Sequence, residues 1–411
     1  MSTLKKTLVS GILTAVCAVG FASVFGLESL RSASATSGVT PGVGLYQLGG
    51  SLASVGNPSA YSIVVGDSSV SGELASLPGT SLVYFAGTDV NTQWSTGVPY
   101  SQAEANGWLL RDGSGNLLVN QSYADDYVGD VGNPAYQQAW ISNVLGYLAA
   151  NPGIKGVFID DVLYDLTPLA GEEAAKYPTQ QAWAQAMLSF VQAVGTALRA
   201  KGYYVLANAS GYVPGDPNSD DGANTISWWQ QLGPYVNGLM NEFYDETSDG
   251  NNTLRTTGSS WTQNWNDWQQ LIQTAQGMGD DFVGVTYGAA GDTQAMSYGK
   301  ASFLLDWDGA GGAFIYDSVG GANNSNAGSD PLASAIPSDN VGRPVAAAQQ
   351  VGLGWIRRYS RGIVLVNPDA TNAQSFSLGG SYYERPGDAV TSISLPPASG
   401  AILLSSNGDS P

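Results

Sequence analysis

The sequence contains no histidine, and its single cysteine, Cys17, lies in an apolar stretch near the N-terminus. These absences exclude a Ser-His-Asp triad, a Cys-His dyad, an intrachain disulfide and a metal site built on Cys or His ligands. They also exclude an imidazole as general base near neutral pH. Acid–base chemistry must therefore come from Asp, Glu, Tyr or Lys side chains. We expect neither a cofactor nor a bound metal.

Positive charge is also scarce, because 15 Lys and Arg face 34 Asp and Glu, for a net charge of −19. Such an acidic chain repels the phosphates of nucleic acids and anionic membrane surfaces, so we expect neither as a partner. Charged residues make up only 12% of the chain and aromatic residues 10%. Since disordered chains are rich in charge and poor in aromatic residues, this composition predicts a folded protein.

The only long apolar run is at the N-terminus, where Lys5 and Lys6 precede residues 8–27. The sequence ASA at 33–35 then gives the small-x-small pattern that signal peptidase cleaves. We therefore predict a signal peptide over residues 1–35 and a secreted protein, extracellular or periplasmic, with no membrane contact after cleavage. An uncleaved anchor is the alternative, since about 20 apolar residues can just span a bilayer.

Short runs of β-forming residues alternate with helical segments between about residues 43 and 335. The runs are continuously apolar, which is typical of strands buried on both faces of a parallel sheet. Two intervening helices have clear start signals, one at Asn133-Pro134 and one near Thr179. The predicted strands are 61–66, 81–86, 108–111, 156–159, 203–207, 236–240, 281–286 and 312–316.

This order of elements predicts an α/β fold, a (β/α)₈ TIM barrel over residues 36–338. An open doubly wound sheet is the alternative, but the Gly-rich phosphate turn that would favour it is missing from the sequence. Beyond about residue 340, short strands separated by Pro, Gly and Asn turns predict a C-terminal antiparallel β-sandwich over 339–411. A Gly/Asn/Ser-rich loop at 320–330 lies near the predicted boundary between these two domains.

Two carboxylates, Asp160 and Asp161, end the fourth predicted strand in the sequence GVFIDDV at 156–162. The C-terminal strand ends of a (β/α)₈ barrel form its active-site rim, so Asp160 is predicted to be catalytic and Asp161 to support substrate binding. Capping of the following turn is the alternative for these residues. Glu242 follows the apolar pair at 239–240 in the same manner and is the predicted partner, unless it is a surface glutamate.

Paired carboxylic acids suit the hydrolysis of a glycosidic bond, which needs neither a metal nor a histidine. One acid protonates the leaving oxygen, and the other attacks the anomeric carbon or activates water. We assign Glu242 as the general acid and Asp160 as nucleophile or base. A carboxyl separation of about 5–5.5 Å implies retention and one of about 6.5–9.5 Å inversion, and the sequence leaves both open.

Polar and aromatic residues at other predicted strand ends complete a candidate sugar site, because hydroxyl groups need fixed donors and acceptors. Five tryptophans also cluster around the loop after the sixth predicted strand, where they could stack on sugar rings. These are Trp228, Trp229, Trp261, Trp265 and Trp268. For Trp261, Trp265 and Trp268, which fall at helical spacing, a core stripe is the alternative. The predicted substrate-binding residues are Asp89, Trp94, Asp161, Asn208, Tyr244, Tyr287 and Asp317.

The segment YQQAWISNVLGYLAANPGIKGVFIDDV and the later KGYYVLANAS resemble bacterial glycosyl-hydrolase-like (β/α)₈ barrels related to the endo-α-1,4-polygalactosaminidases. The ending LPPASGAILL is similar to the last strands of β-sandwiches attached to glycosidase barrels. The resemblance implies that Asp160, in a G-x-x-x-D motif, and Glu242 form the catalytic pair. The polygalactosaminidase pattern has Asn where this chain has Asp161, so that substrate is not implied.

The sequence as a whole predicts a secreted, monomeric glycoside hydrolase that cleaves an extracellular or cell-wall polysaccharide. Two alternatives stay open at this point, because a fold does not fix a function. One is a non-catalytic glycan-binding protein on the same scaffold, and the other is a surface structural protein.

Overall fold

Eight parallel strands close into a barrel in the computed structural model, which confirms the predicted fold class. The structure describes residues 38–209, 222–242, 244, 253–258, 264–289, 291–317, 339–384 and 387–406. A small antiparallel hairpin of β4 and β5 lies in the long connection that follows the third barrel strand. In chain order the strands are β1 (Thr40–Gln47), β2 (Tyr61–Gly66), β3 (Thr80–Ala86), β4 (Asp89–Asn91), β5 (Asp126–Val128), β6 (Gly156–Asp160), β7 (Tyr204–Asn208), β8 (Gly238–Asn241), β9 (Asp281–Tyr287) and β10 (Ala313–Asp317).

Helices surround the barrel, and both clearly signalled ones begin where the sequence predicts. The Asn133 side chain accepts a hydrogen bond from the N–H of Ala135, and Thr179 accepts one from Ala182. No helix in the described ranges is long and apolar enough to cross a bilayer. The helices are α1 (Ser71–Leu74), α2 (Tyr100–Ala105), α3 (Pro134–Ala150), α4 (Thr167–Ala170), α5 (Gln180–Arg199), α6 (Gly222–Leu232), α7 (Trp265–Met278) and α8 (Thr293–Asp306), with short 3₁₀ turns at Leu52–Val55, Pro58–Ala60, Ser68–Val70 and Gly233–Tyr235.

Side-chain alternation along the strands divides the core into two parts. Phe158, Met240 and Tyr287 belong to a cluster that fills the barrel. Val157 and Ile159 alternate with Phe158 and pack into the layer between the barrel and its helices. Because successive side chains of a strand point to opposite faces, the residue two positions after Phe158 also faces the barrel interior.

One predicted strand is wrong and one barrel strand is not predicted, so the two errors cancel in the count of eight. The first barrel strand, β1, reads TPGVGLYQ and has no counterpart among the predicted strands, because its Pro and Gly residues lower its β propensity. The predicted strand at 108–111 lies outside the barrel and forms only isolated bridges, Leu109 to Gly129 and Arg111 to Leu117. Residues 156–160 and 238–241 therefore remain the fourth and sixth barrel strands.

A six-stranded antiparallel sheet follows the barrel and has its own core, with Ile363, Phe376 and Leu403 buried in it. This confirms the predicted C-terminal sandwich-like part. Residues 1–35 and 320–330 lie outside the described residues, and the boundary at 338 stays a prediction. The strands are β11 (Gln349–Val351), β12 (Gly354–Tyr359), β13 (Gly362–Asn367), β14 (Gln374–Tyr383), β15 (Ala389–Leu395) and β16 (Ser399–Leu404).

An arginine of the sheet caps a helix of the barrel layer. Arg357, on β12, donates from Nη1 to the carbonyl oxygens of Leu304 at 3.0 Å, Leu305 at 2.9 Å and Trp307 at 2.6 Å. These carbonyls lie at the C-terminal end of α8, where a cation is favoured by the helix dipole. The guanidinium therefore caps a barrel helix from the neighbouring sheet.

Candidate active site

Asp160 and Glu242 meet at the C-terminal mouth of the barrel, bridged by one amide. Asp160 ends β6, Glu242 follows β8, and Asn208 ends the strand between them. The Asn208 Nδ2 group donates to Asp160 Oδ1 at 2.8 Å and to Glu242 Oε2 at 2.8 Å. Because both oxygens accept from the same nitrogen, they cannot be farther apart than twice the donor–acceptor distance. The two N–H bonds of an amide are about 120° apart, so the two oxygens lie about 5 Å from each other.

Asp160 is hydrogen-bonded as an anion. Besides the Asn208 amide, its Oδ1 accepts the backbone N–H of Asp161 at 3.0 Å, and its Oδ2 accepts the Tyr84 hydroxyl at 2.9 Å. Burial raises the pKa of Asp160, and the hydrogen bonds from Asn208, Tyr84 and Asp161 oppose that rise. Donors that point at a carboxylate favour its ionised form, which is the form that can attack or accept a proton.

Glu242 is placed to hold a proton near neutral pH. Burial, and then the charge of Asp160, raise its pKa to about 7, although hydrogen bonds from Tyr287 and Asn208 lower it. The Tyr287 hydroxyl donates to Glu242 Oε1 at 2.6 Å. Two acids with unlike surroundings, one rich in donors and one next to a negative charge, are the arrangement that separates a base from an acid.

Two phenols of the site have no counterpart among the predicted site residues. Tyr84 contacts Asp160 directly, and Tyr46 lies lower in the barrel with its ring 5.5 Å from that of Phe158. Burial, followed by the charges of Asp160 and Glu242, raises the pKa of Tyr46 well above its usual value. Burial and the charge of Asp160 raise the pKa of Tyr84 likewise, so both phenols are neutral, and Tyr84 is the one that donates to Asp160. The alternation of Leu82 and Tyr84 along β3 is the signal that could have found Tyr84.

Asp161 and Asp89 are two further acids whose charges act on the site around Asp160. Asp161 has a left-handed φ of 52°, and its carbonyl accepts the Thr88 hydroxyl at 2.6 Å. The Asp89 carboxyl group accepts from Asn120 Nδ2 through its Oδ2 at 2.9 Å, and its Oδ1 is buried without a hydrogen-bond donor among the described residues. Burial raises the pKa of Asp89 to about 7. Burial and the charges of Asp160 and Asp89 raise that of Asp161 well above its usual value.

Two more predicted residues come to the mouth. Asp317 ends β10 fully buried, and its charge contributes to the raised pKa of Glu242. Trp94 is 42% exposed, and its ring centroid lies 5.7 Å from that of Tyr84. The structure thus gathers every predicted site residue except Tyr244 around the two carboxylates.

Tyr244 lies in the layer outside the barrel. Its buried hydroxyl hydrogen-bonds Gln269 of α7 at 3.0 Å, and its ring packs 5.3 Å from that of Phe282. A Cβ atom at Gly284 would stand 2.9 Å from the Tyr244 ring, so only glycine permits this packing. The physical reason is that β8 ends at Asn241, after which strand alternation no longer sets the direction of side chains.

The tryptophans on either side of the sixth strand are core residues. Trp228, Trp229, Trp265 and Trp268 are all buried, and Trp261 lies outside the described residues. The indole N–H of Trp228 donates to Val162 O at 3.1 Å, and that of Trp229 donates to Ala209 O at 2.8 Å. The core-stripe alternative is therefore confirmed for Trp265 and Trp268, and Trp228 and Trp229 are buried as well.

A family model described as hypothetical glycosyl hydrolase family 15 matches residues 83–363, more than half of the chain. The chain belongs to this glycosyl hydrolase family. The match confirms the resemblance found in the sequence and places the protein among the glycoside hydrolases. No curated protein matches the hydrolase in sequence.

Solved structures give a further comparison for the hydrolase. Bacillus licheniformis trehalose-6-phosphate hydrolase aligns over 89% of this chain and 98% of its own, at 8% identity and a TM-score of 0.51, which shows a shared fold. Aspergillus fumigatus Ega3, solved with galactosamine, aligns over 72% of this chain and 98% of its own, at 11% identity and a TM-score of 0.44.

Replacing the bridging amide of the hydrolase, in Asn208→Ala, is expected to lower kcat by about 10²–10³-fold, because both carboxylates lose a preorganised donor. The hydrogen bonds from Asn208 lower the pKa of Asp160 and of Glu242. The variant should therefore also shift the pH profile upward. Asn143→Ala, which removes an amide bonded to Gly97 O and Gln102, serves as the control. A loss smaller than about threefold would show that the bridge is dispensable.

Proposed function

We propose that the protein is a secreted enzyme that hydrolyses an extracellular or cell-wall polysaccharide with retention of anomeric configuration. Asp160 acts as the nucleophile and Glu242 as the acid/base. The observation that carries this proposal is the single Asn208 amide that donates to both carboxylates. An amide shared in this way keeps the two bonded oxygens about 5 Å apart, which favours the close carboxyl spacing of retaining glycosidases over the wider spacing of inverting ones.

In the first half-reaction, the Asp160 carboxylate attacks the anomeric carbon while Glu242 gives its proton to the departing glycosidic oxygen. A glycosyl ester on Asp160 results. Oδ2 of Asp160 is the better attacking atom, since it accepts only the Tyr84 hydroxyl whereas Oδ1 accepts two N–H groups. In the second half, Glu242 takes a proton from water, which attacks the same carbon and releases Asp160. Each step uses only carboxylates, as the lack of histidine requires.

A polymeric substrate is supported by two exposed aromatic rings near the carboxylates. Trp94 is 42% exposed and Tyr123 is 47% exposed. Trp94 rests against Tyr84, the phenol bonded to Asp160. Burial, and then the charges of Asp161 and Asp160, raise the pKa of Tyr123, which places its hydroxyl in their field. Exposed aromatic rings beside a cleft suit the C–H faces of successive sugar units. Large apolar rings exposed to water are a common mark of a ligand-binding surface.

Secretion is supported by the basic, apolar and small-x-small order of the first 35 residues. An acidic chain with few charged residues also fits a protein that works outside the cell. We propose a monomer, without nucleic-acid or membrane partners.

Proton NMR of the first product released from a polysaccharide or aryl glycoside tests the proposal. We expect the first-formed sugar to keep the anomeric configuration of the substrate, before mutarotation mixes the two forms. An inverted first product would reject the assignment of Asp160 as nucleophile. Binding of a panel of polysaccharides without release of reducing ends would instead favour a non-catalytic glycan-binding protein.

A further inference from the structure

The exposed Trp94 ring is connected to the nucleophile through one intervening phenol. Trp94 is 42% exposed, and its ring centroid lies 5.7 Å from that of Tyr84. The Tyr84 hydroxyl in turn donates to Asp160 Oδ2 at 2.9 Å. Because a whole ring separates the indole from the carboxylate, Trp94 is placed for a sugar unit next to the one that reacts. Stacking on that unit is strongest when the loop already holds the indole in place, since ordering a side chain on binding costs affinity.

A buried amide holds the backbone of the loop that carries Trp94. Asn91 ends β4 and is 7% exposed. Its Oδ1 accepts the N–H groups of Gln93 at 2.7 Å and of Trp94 at 3.1 Å, and its Nδ2 donates to Asp126 Oδ1 at 2.6 Å. Asp126 is the residue opposite Asn91 on β5. The Asn91 side chain thus forms an Asx turn that ties the Trp94 backbone to the hairpin.

The other end of this loop is tied to the barrel as well. The Thr96 hydroxyl donates to Asp89 O at 2.6 Å, and the Ala86 N–H donates to Thr96 O at 3.2 Å. Residues 92–95, which lie between the two ties, are exposed. An exposed turn whose two ends are fixed presents its indole in a constant place, which is what a preorganised stacking surface for a carbohydrate requires.

We propose that Asn91 is a specificity-determining positioning residue, which holds Trp94 as a preformed platform for the sugar unit beside the reacting one and so favours a polymer over a short substrate. This inference rests on the proposed function, which gives the enzyme a polysaccharide substrate. Asn91 is buried beneath the turn, so it acts through Trp94 and not by contact with the sugar. Loss of Asn91 and loss of Trp94 should therefore not add, because the two residues act as one unit.

Isothermal titration calorimetry of polysaccharide binding tests the role of Asn91. The probes are soluble starch, dextran, galactomannan and chitosan, added to a Glu242→Gln background that does not consume them, and the polymer that this background binds most tightly is used. We expect Trp94→Ala and Asn91→Ala each to raise Kd about 5–10-fold, and the double variant to bind no more weakly than Trp94→Ala. Asn116→Ala, which removes an amide bonded to Asp112 in another turn of the same connection, should leave Kd unchanged.

Asn91→Ser separates positioning from a loss of packing. A serine hydroxyl forms the same kind of turn more weakly, so the Kd of this variant should lie between those of the background and of Asn91→Ala. An Asn91→Ala variant that binds like the background, or losses that add in the double variant, would overturn the inference. If the alanine variant does not fold, an Asn91→Ser variant that binds like the background overturns it.

The same titrations distinguish failure of this inference from failure of the proposed function. If the Glu242→Gln background binds none of the four polymers, the polymeric substrate of the proposed function falls together with the platform. If the background binds a polymer and Asn91→Ala binds it equally well, only the role of Asn91 is rejected. The configuration of the first product tests the proposed chemistry separately.

Discussion

Asp160→Asn is expected to lower kcat by at least about 10⁴-fold while the protein keeps its fold, since an amide cannot attack the anomeric carbon. The substitution is isosteric, and its oxygen can still accept the bonds from Tyr84 or Asn208. Release of reducing ends from a polysaccharide, together with the free energy of unfolding in urea, measures both effects.

Glu242→Gln should divide substrates according to their leaving groups. The phenolate of an aryl glycoside with an acidic phenol leaves without being protonated, so we expect glycosylation of the enzyme by such a substrate to slow little. Cleavage of a polysaccharide needs protonation of the leaving oxygen, so we expect it to be lost. Asp292→Asn is the matched control, because Asp292 caps α8 by accepting from the Ala295 N–H, a task that Asn performs equally well. Near-wild-type turnover of polysaccharide by either the Asp160 or the Glu242 variant would refute the assignment.

Stability is expected to fall as the pH rises from about 5 to 8, opposite to the trend of proteins held by ionised carboxylates. Burial raises the pKa of both Asp89 and Glu242 to about 7. Between their ordinary pKa values and about 7, the folded state thus binds more protons than the unfolded state. The stabilisation is complete below the ordinary pKa values of these acids and is lost as the pH rises through about 7, where they ionise in the folded state. For one group with a rise of this size, it amounts to roughly 4 kcal/mol at most.

Urea unfolding at a series of pH values measures this trend, and Asp89→Asn should flatten it. Hydrogen bonds lower the pKa of Asp112, mainly from Asn116, and of Asp369, mainly from Thr371. These two acids act in the opposite direction, but only below about pH 4, so the chosen range is free of them. A free energy of unfolding that is constant or increases toward pH 8 would contradict the inferred protonation of the buried acids.

The barrel and its two principal acids could be predicted because the evidence for them is local. Phe158 and Asp160 lie two positions apart on one strand, and strand alternation sends both into the barrel. The same rule fails for Tyr244, which lies beyond the end of β8. Strand alternation also cannot show that residues 108–111 lie outside the barrel. This short apolar run has the composition of a barrel strand, but it pairs only within its own loop.

The partners of the acids could not be predicted, because they depend on register between strands that are distant in sequence. Ala86 pairs with Asp160, which places Tyr84 of β3 within reach of that carboxylate. Asn208 reaches both acids only because β7 lies between β6 and β8. The bond from Asn120 to Asp89 likewise depends on the hairpin of β4 and β5, whose pairing cannot be read from a periodic pattern.

The cap that Arg357 places on α8 limits how this enzyme can be recombined with its relatives. A single guanidinium satisfies carbonyls that the last helical turn leaves without intrahelical partners. A shortened chain that stopped before β12 would leave those acceptors bare and uncover the apolar side of α8. The C-terminal sheet therefore cannot be exchanged alone between relatives. A chimera would need α8 and β12 from the same parent protein.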